Sequence, residues 1–198
     1  MIGHGINDFY TIREAELDDD GLIEIGLIAL SDMVVFPNMV TSLIIQREQN
    51  IAAIGEAQIH QETVIGAALR DGSIAAPKPE DFYTFGTEMA LGRLMHMPDG
   101  DSSVLAQGRR RVEIVEFVQM APSIRVKARP VNEAADESRE VTALMRAALT
   151  LFHKCVELNP QLPEEAYIYA LNVESPGWLA DLVASTLNLN MDEQQDLL

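Results

Sequence analysis

The chain has 198 residues, 47% hydrophobic and 23% charged, which excludes wholesale disorder and is enough to bury about 70% of the unfolded surface in a core. A net charge of −17, from 31 acidic and 14 basic residues, repels duplex nucleic acid and anionic membrane surfaces and favours solubility. The single cysteine, Cys155, excludes an intrachain disulfide, and no apolar run approaches the roughly 18 residues that span a bilayer. The N-terminus has neither a secretory signature nor, with Asp18-Asp19-Asp20, an acid-poor transit peptide, so a cytoplasmic location is expected.

Residues 1–21 read as an acidic, flexible arm ending in Asp-Asp-Asp-Gly. Residues 22–131 read as mostly β. Ile23, Ile25 and Leu27 alternate with period two. Met33-Val34-Val35-Phe36 is a short apolar run closed by a turn at Pro37-Asn38, and Leu43-Ile44-Ile45 is a further strand. Ile51, Ile54, Ala57, Gln58 and Ile59 recur at helical spacing, placing one helix at about Arg47–Gln61. Val64 to Leu69 reads as a buried strand. Asp71-Gly72 and Ala75-Ala76-Pro77-Lys78-Pro79 mark a loop, since the prolines remove two ladder donors. A hairpin is predicted between Phe85 and Gly108, turning at Pro98-Asp99-Gly100 and returning at Ser103 to Ala106. Arg111–Met120 and Ile124–Val131 supply two more strands, broken at Pro122.

Residues 132–198 read as helical, entered through Asn132 to Asp136. Val141, Leu144, Met145, Ala148, Phe152, Cys155 and Val156 trace one face of a long helix stopped at Asn159-Pro160. A second helix lies near Glu164–Leu171. Ser175-Pro176 caps a third, striped by Leu179, Leu182, Val183 and Leu187. Asn190 and Glu193 have capping-box spacing and open a fourth. That helix ends uncapped on Leu197-Leu198, so the chain is expected to be cut from a longer protein.

The chemistry of catalysis is missing from the pattern. There is no phosphate-cradling glycine loop followed by lysine. His4, His60, His96 and His153 are scattered without metal spacing, and no Gly-x-Ser-x-Gly elbow occurs. No catalytic, cofactor or metal residue is therefore expected. Arg109-Arg110-Arg111 is the one basic cluster and reads as a strand whose side chains alternate across the sheet. Cys155 is expected to be a buried, inert thiol. Met89, Leu91, Leu94, Met95 and Met97 fall in one hairpin arm; such flexible apolar side chains fill cores or line promiscuous surfaces.

Three ordered blocks carry a family resemblance. Ile25 to Ile51, IGLIALSDMVVFPNMVTSLIIQREQNI, resembles the opening of Lon protease N-terminal domains through Leu30, Asp32, Val35, Phe36, Pro37, Met39, Leu43, Arg47, Glu48 and Ile51. A second block comprises Asp81, Phe82, Gly86, Thr87, Pro98, Asp99, Gly100, Gly108, Arg111 and Ile114. A third comprises Leu179, Ala180, Asp181, Leu187, Leu189, Gln195 and Leu198. The chain departs from the family where prolines are usual, at Gly26, Ala29 and Ser42, and where glycine is usual, at Gln46.

The resemblance implies an α+β chain: a PUA-like, curled, mostly antiparallel sheet with one helix, then a helical bundle. It also implies a domain that recognises unfolded or damaged proteins and supports a hexamer in protein quality control. ATP, magnesium and a Ser-Lys protease dyad would belong to other modules of that parent, and this chain would be no enzyme by itself. The alternative is a free-standing binding module. Candidate substrate contacts are the turn Val35, Phe36, Pro37 and Met39 and the arm Met89, Leu91, Met95 and Met97. Neither nucleic acid nor membrane is an expected partner.

Overall fold

The first alternating segment forms β1, Ile23–Leu30, in which only Glu24 is exposed. Both faces are covered because two cores meet on this strand. Ile23, Ile25, Leu27 and Ala29 enter one, with Ile65, Val112, Ile124 and Val126. Ile28 and Leu30 enter the other, with Leu43, Ile45, Ile54, Met89 and Val104. The computed structural model describes residues 12, 14–98, 101–132 and 138–198. Most of the acidic arm, the turn residues Asp99 and Gly100, and the linker residues 133–137 lie outside the described residues.

The remaining strands are β2 (Val40–Ile45), β3 (Val64–Ala68), β4 (Phe85–His96), β5 (Ser102–Gln119) and β6 (Ile124–Pro130). β1 pairs in parallel with β3 and antiparallel with β6. β3–β4, β4–β5 and β5–β6 are antiparallel. The pairings close a ring, β1-β3-β4-β5-β6, around the first core. Register shifts in β4 and β5 supply the bulges that curl it.

β2 stands outside the ring. It pairs with the first half of β5, Ser102 to Gln107, while the second half of β5 pairs with β6. Sequence reading divides this stretch into two strands; the structure has one of 18 residues. Gly108, in its middle, marks a close approach instead of a break. A Cβ there would lie 2.2 Å from the Phe36 carbonyl oxygen. Gly108 donates its N–H to the Met39 carbonyl (2.9 Å) and accepts from the Asn38 N–H (3.1 Å). Two residues thus face one, a bulge with Asn38 in the left-handed region at φ 61°.

Helix α1, Glu48–His60, covers the second core with Asn50, Ala53, Ile54 and Ala57. The inward stripe is therefore offset from the predicted one: Ile51 and Ile59 face outward, 39% and 77% exposed. The Met33–Phe36 run belongs to no strand, with Val34, Val35 and Phe36 buried.

Contacts divide the chain into Met1–Val131 with Leu198, and Asn132–Leu197. The second unit comprises α2 (Arg139–Leu158), α3 (Glu164–Ala170), α4 (Pro176–Thr186) and α5 (Met191–Leu197). Ser138 caps α2 and Ser175 caps α4. Asn190 and Glu193 exchange backbone-to-side-chain bonds of 2.9 and 3.0 Å, a reciprocal capping box. The bundle core takes Phe152 and Val156 from α2, flanked by Met145 and Leu149. Leu144, Ala148 and Cys155 of the predicted stripe are exposed. Cys155 is thus no buried thiol. Successive helical residues turn by about 100°, which carries it off the face that Val156 buries. Among the described residues no helix is long and apolar enough to cross a membrane.

Candidate functional site

Most of the predicted contact residues are core. Val35 and Phe36 are each 1% exposed, and Pro37 is buried with them. The bulge opposite Gly108 seats this turn against β5, and the Thr87 hydroxyl donates to the Val35 carbonyl at 2.5 Å. Met89 is fully buried and Leu91 nearly so. Gly66 explains Met89: a Cβ there would meet the methionine Cε at 2.5 Å, so the missing side chain is the seat of the thioether. As surface contacts these five residues are corrected by burial. Met39 is half-buried, while Met95 and Met97 are exposed.

Met95 belongs to a larger exposed face. Its partner on β5 is Ser103, whose partner on β2 is Ile44. Opposed residues of an antiparallel pair share a face, so Ile44, Ser103 and Met95 form one transverse row. Ile44 is 64% exposed and Met95 56%. Val40 lies on the same side of β2, two pleats along, and is 51% exposed. Thr41, Leu43 and Ile45 turn the other way, Leu43 and Ile45 into the second core. Sequence reading missed Val40 and Ile44, although period two across Val40–Ile45 separates the two sets.

Beside the free edge of β2 runs a groove of about 920 Å³. Its walls are Ser42–Ile45, the end of β1 from Ile28 to Ser31, and the first turn of α1; Gly72, Ala75 and Ala76 close one end. Two polar side chains of its wall, Arg47 and Asn50, are committed to the fold. Arg47 donates to the carbonyls of Gly72 (2.9 Å), Ile74 (2.7 Å) and Ala75 (3.1 Å) and to the Ser31 hydroxyl (3.1 Å). The Asn50 amide donates to the Ala29 carbonyl and accepts the Ala29 N–H, both at 3.0 Å. Ile28, Leu30, Leu43 and Ile45 lie behind the wall, each 6% exposed or less, so the accessible apolar groups are Met33, Ile44, Ala75 and Ala76, with the exposed carboxylates Asp32 and Glu48 at the rim.

Elsewhere, Glu88, Arg110 and Asp71 are held by the fold. Glu88, fully buried, accepts from the Thr63 hydroxyl (2.5 Å), Arg110 Nε (2.6 Å) and the Ala15 N–H (2.7 Å). Arg110 also reaches the Ala15 carbonyl at 3.0 Å and Glu14 at 3.3 Å. The middle arginine of the basic cluster is therefore committed to the fold, with its side chain 24% exposed. Asp71, on the loop beside the groove, accepts the Ser73 hydroxyl and N–H, and these bonds hold its carboxyl below the ordinary carboxylate range. Among the described residues no group of His, Cys, Asp and Glu is arranged to hold a metal ion.

Three comparisons bear on this architecture. Residues 24–198 match the family model of the ATP-dependent protease La (LON) substrate-binding domain. Among curated proteins, a Lon protease of Dictyoglomus thermophilum is 34% identical over 186 residues, 94% of this chain and 23% of that protein. Lon protease 2 of Herpetosiphon aurantiacus is 35% identical over 89% of this chain and 22% of its own length. The chain thus spans under a quarter of these relatives. Among solved structures, the N-terminal domain of a Mycobacterium avium complex Lon protease aligns with TM-score 0.72 at 19% identity, covering 87% of this chain and 88% of that one. A Lon N-terminal domain protein from Xanthomonas campestris aligns at 0.59 and 15% identity, over 85% of each chain. With the residues matched from Glu24 to Leu198 and the fold shared, the chain belongs to the Lon substrate-binding domain family.

Proposed function

We propose that this chain recognises unfolded or damaged proteins for a cytoplasmic Lon-type protease in protein quality control. The observation that carries the reading is the exposed apolar face on β2 and β4, made by Val40, Ile44 and Met95. Met97, 40% exposed, follows directly on that arm. A surface that must accept many sequences needs apolar area without a shaped, polar pocket, and weak capture by each copy gains avidity when copies are linked. In this reading ATP, magnesium and peptide-bond cleavage belong to other modules of the parent, and this chain supplies no catalytic group. Titration with reduced, iodoacetamide-blocked lysozyme, a basic unfolded probe, tests it by NMR. Methyl and amide shifts at Val40, Ile44, Met95 and Met97 are expected, and Ile44→Ser with Met95→Ser reduces them. Absence of binding, or shifts confined to other surfaces, sinks the reading.

Support for hexamer assembly lies in α2. Leu144, Ala148, Leu151, Cys155 and Leu158 recur at alternating steps of four and three, a heptad seam. Its leucines are 68%, 61% and 83% exposed, while Met145, Leu149, Phe152 and Val156 already serve the bundle core. Leu151→Glu in the full-length parent should lower the mass seen by light scattering. An unchanged hexamer excludes this seam from assembly.

A further inference from the structure

The ring of strands leaves one edge open. Among the described residues β2 pairs with β5 alone, so half of its backbone groups point away from the sheet. Which half follows from the ladder. Met39 and Gly108 are hydrogen-bonded across the bulge, and Met97 N–H bonds Asp101 O at the hairpin end. Antiparallel pairs alternate between bonded and non-bonded. Thr41, Leu43 and Ile45 therefore bond to β5, and Val40, Ser42 and Ile44 direct their N–H and C=O groups outward.

An open edge is a template for another strand, and natural edges are blunted by charge, proline or inward lysine. Val40-Thr41-Ser42-Leu43-Ile44-Ile45 contains none of these. It is uncharged and mostly β-branched, the composition that favours strand pairing. Ser42–Ile45 of that edge wall the groove, and a further strand would run about 4.8 Å beyond β2. Alternate side chains of such a strand would enter the groove beside Met33, Ala75 and Ala76. The other set would extend the exposed face of Val40 and Ile44.

We propose that the β2 edge captures an extended segment of the polypeptide substrate by strand addition, with alternate apolar side chains of the segment seated in the groove. The inference rests on the substrate-recognition reading and specifies its mode. Backbone pairing supplies the sequence tolerance, because every residue but proline carries the same donor and acceptor. The rim sets a preference by charge: Asp32 and Glu48, on a chain of net charge −17, favour segments carrying lysine or arginine and disfavour acidic ones.

The test uses the 198-residue chain and a labelled peptide of about eight alternating valines and lysines, long enough to span β2 at roughly 3.3 Å per residue. Two N-methylated versions differ by one residue in the phase of methylation. Strand addition predicts that one phase abolishes binding and the other retains it, because only alternate N–H groups face β2. Amide exchange at Val40, Ser42 and Ile44 should slow on binding, and a glutamate-for-lysine peptide should bind more weakly. Ser42→Pro removes an outward donor while sparing the β5 ladder and should weaken binding about tenfold or more, with Ser42→Ala as its control. Equal effects of the two methylation phases overturn the proposal even if the variant misfolds, since they need only the native chain. So does a β2-to-β2 dimer, seen by sedimentation, that the peptide cannot displace. If unfolded lysozyme binds but the methylation phases do not differ, recognition stands and strand addition alone fails; if neither probe binds, both fail.

Discussion

Asn50 offers the sharpest quantitative check on how the groove is built. β6 stops pairing with β1 at Ile124, opposite Leu27. The next backbone groups on that side of β1 belong to Ala29, and the Asn50 side chain replaces the missing strand with two bonds of 3.0 Å. Asn50 is 3% exposed and Ala29 4%, so water does not reach either group. Asn50→Ala leaves a buried N–H and a buried C=O without partners, at about 1–3 kcal/mol each. A loss of about 2–6 kcal/mol follows, a large share of the roughly 5–15 kcal/mol that holds a domain folded. Asn50→Asp keeps an acceptor for the N–H but sets an oxygen against the Ala29 carbonyl, so it should lose a comparable amount. Urea unfolding followed by circular dichroism gives the free energy, and hydrogen exchange at the Ala29 amide reports the site. A loss below about 1 kcal/mol, or unchanged exchange at Ala29, would show that the amide is no surrogate strand.

Four further outcomes are expected. Glu88→Ala strips Arg110 of its buried partner and should cost about 3–5 kcal/mol in urea unfolding, with Glu88→Gln recovering part of it through the Thr63 and Ala15 bonds. Gly108→Ala forces a Cβ to within 2.2 Å of the Phe36 carbonyl oxygen, and thermal unfolding should show a loss of about 1–3 kcal/mol as the bulge shifts. Phe36→Ala should destabilise by about 3–5 kcal/mol through cavity formation, and under conditions where the variant remains folded, lysozyme-probe affinity should stay unchanged. The Asp71 turn depends on a carboxyl held low by Ser73. Its contribution is complete above the ordinary carboxylate range and is lost as pH falls through the depressed folded-state value, so the Ser73 amide resonance should stay put through mildly acidic pH and move only below it.

Local signals in this chain are easily read because each has a local cause. Proline and serine at 175–176 open α4, and asparagine with glutamate three residues later opens α5, since these contacts are made within one turn. The helical face of α1 was legible only to within a residue, because polar Asn50 occupies an inward position for a tertiary reason: the Ala29 backbone two elements away. The same holds for the candidate contacts. Phe36 and Met89 look like promiscuous apolar residues until Gly108 and Gly66 are seen to receive them, and those glycines lie 72 and 23 residues away in the chain (108 − 36; 89 − 66). Val40 and Ile44 carry a plain alternation, but what exposes them is the absence of a partner for β2, a property of sheet order. Cys155 and Leu144 fall into an apolar stripe wider than one packing face requires, and the pattern alone does not divide it.

The ring pairs its first strand with its last. Ile23 lies against Ala128, so 105 residues (128 − 23) separate partners in one ladder. On a ribosome, which releases the chain from its N-terminus, β1 emerges long before β6 exists. Its inward side chains, Ile23, Ile25 and Leu27, stay without half of their core until the second half of β5 and all of β6 have followed. Closure over so long a span is also slow, since the entropy of the intervening chain is lost before the ladder forms. This member of the Lon substrate-binding domain family therefore passes, during its own synthesis, through an extended period as an unfolded chain.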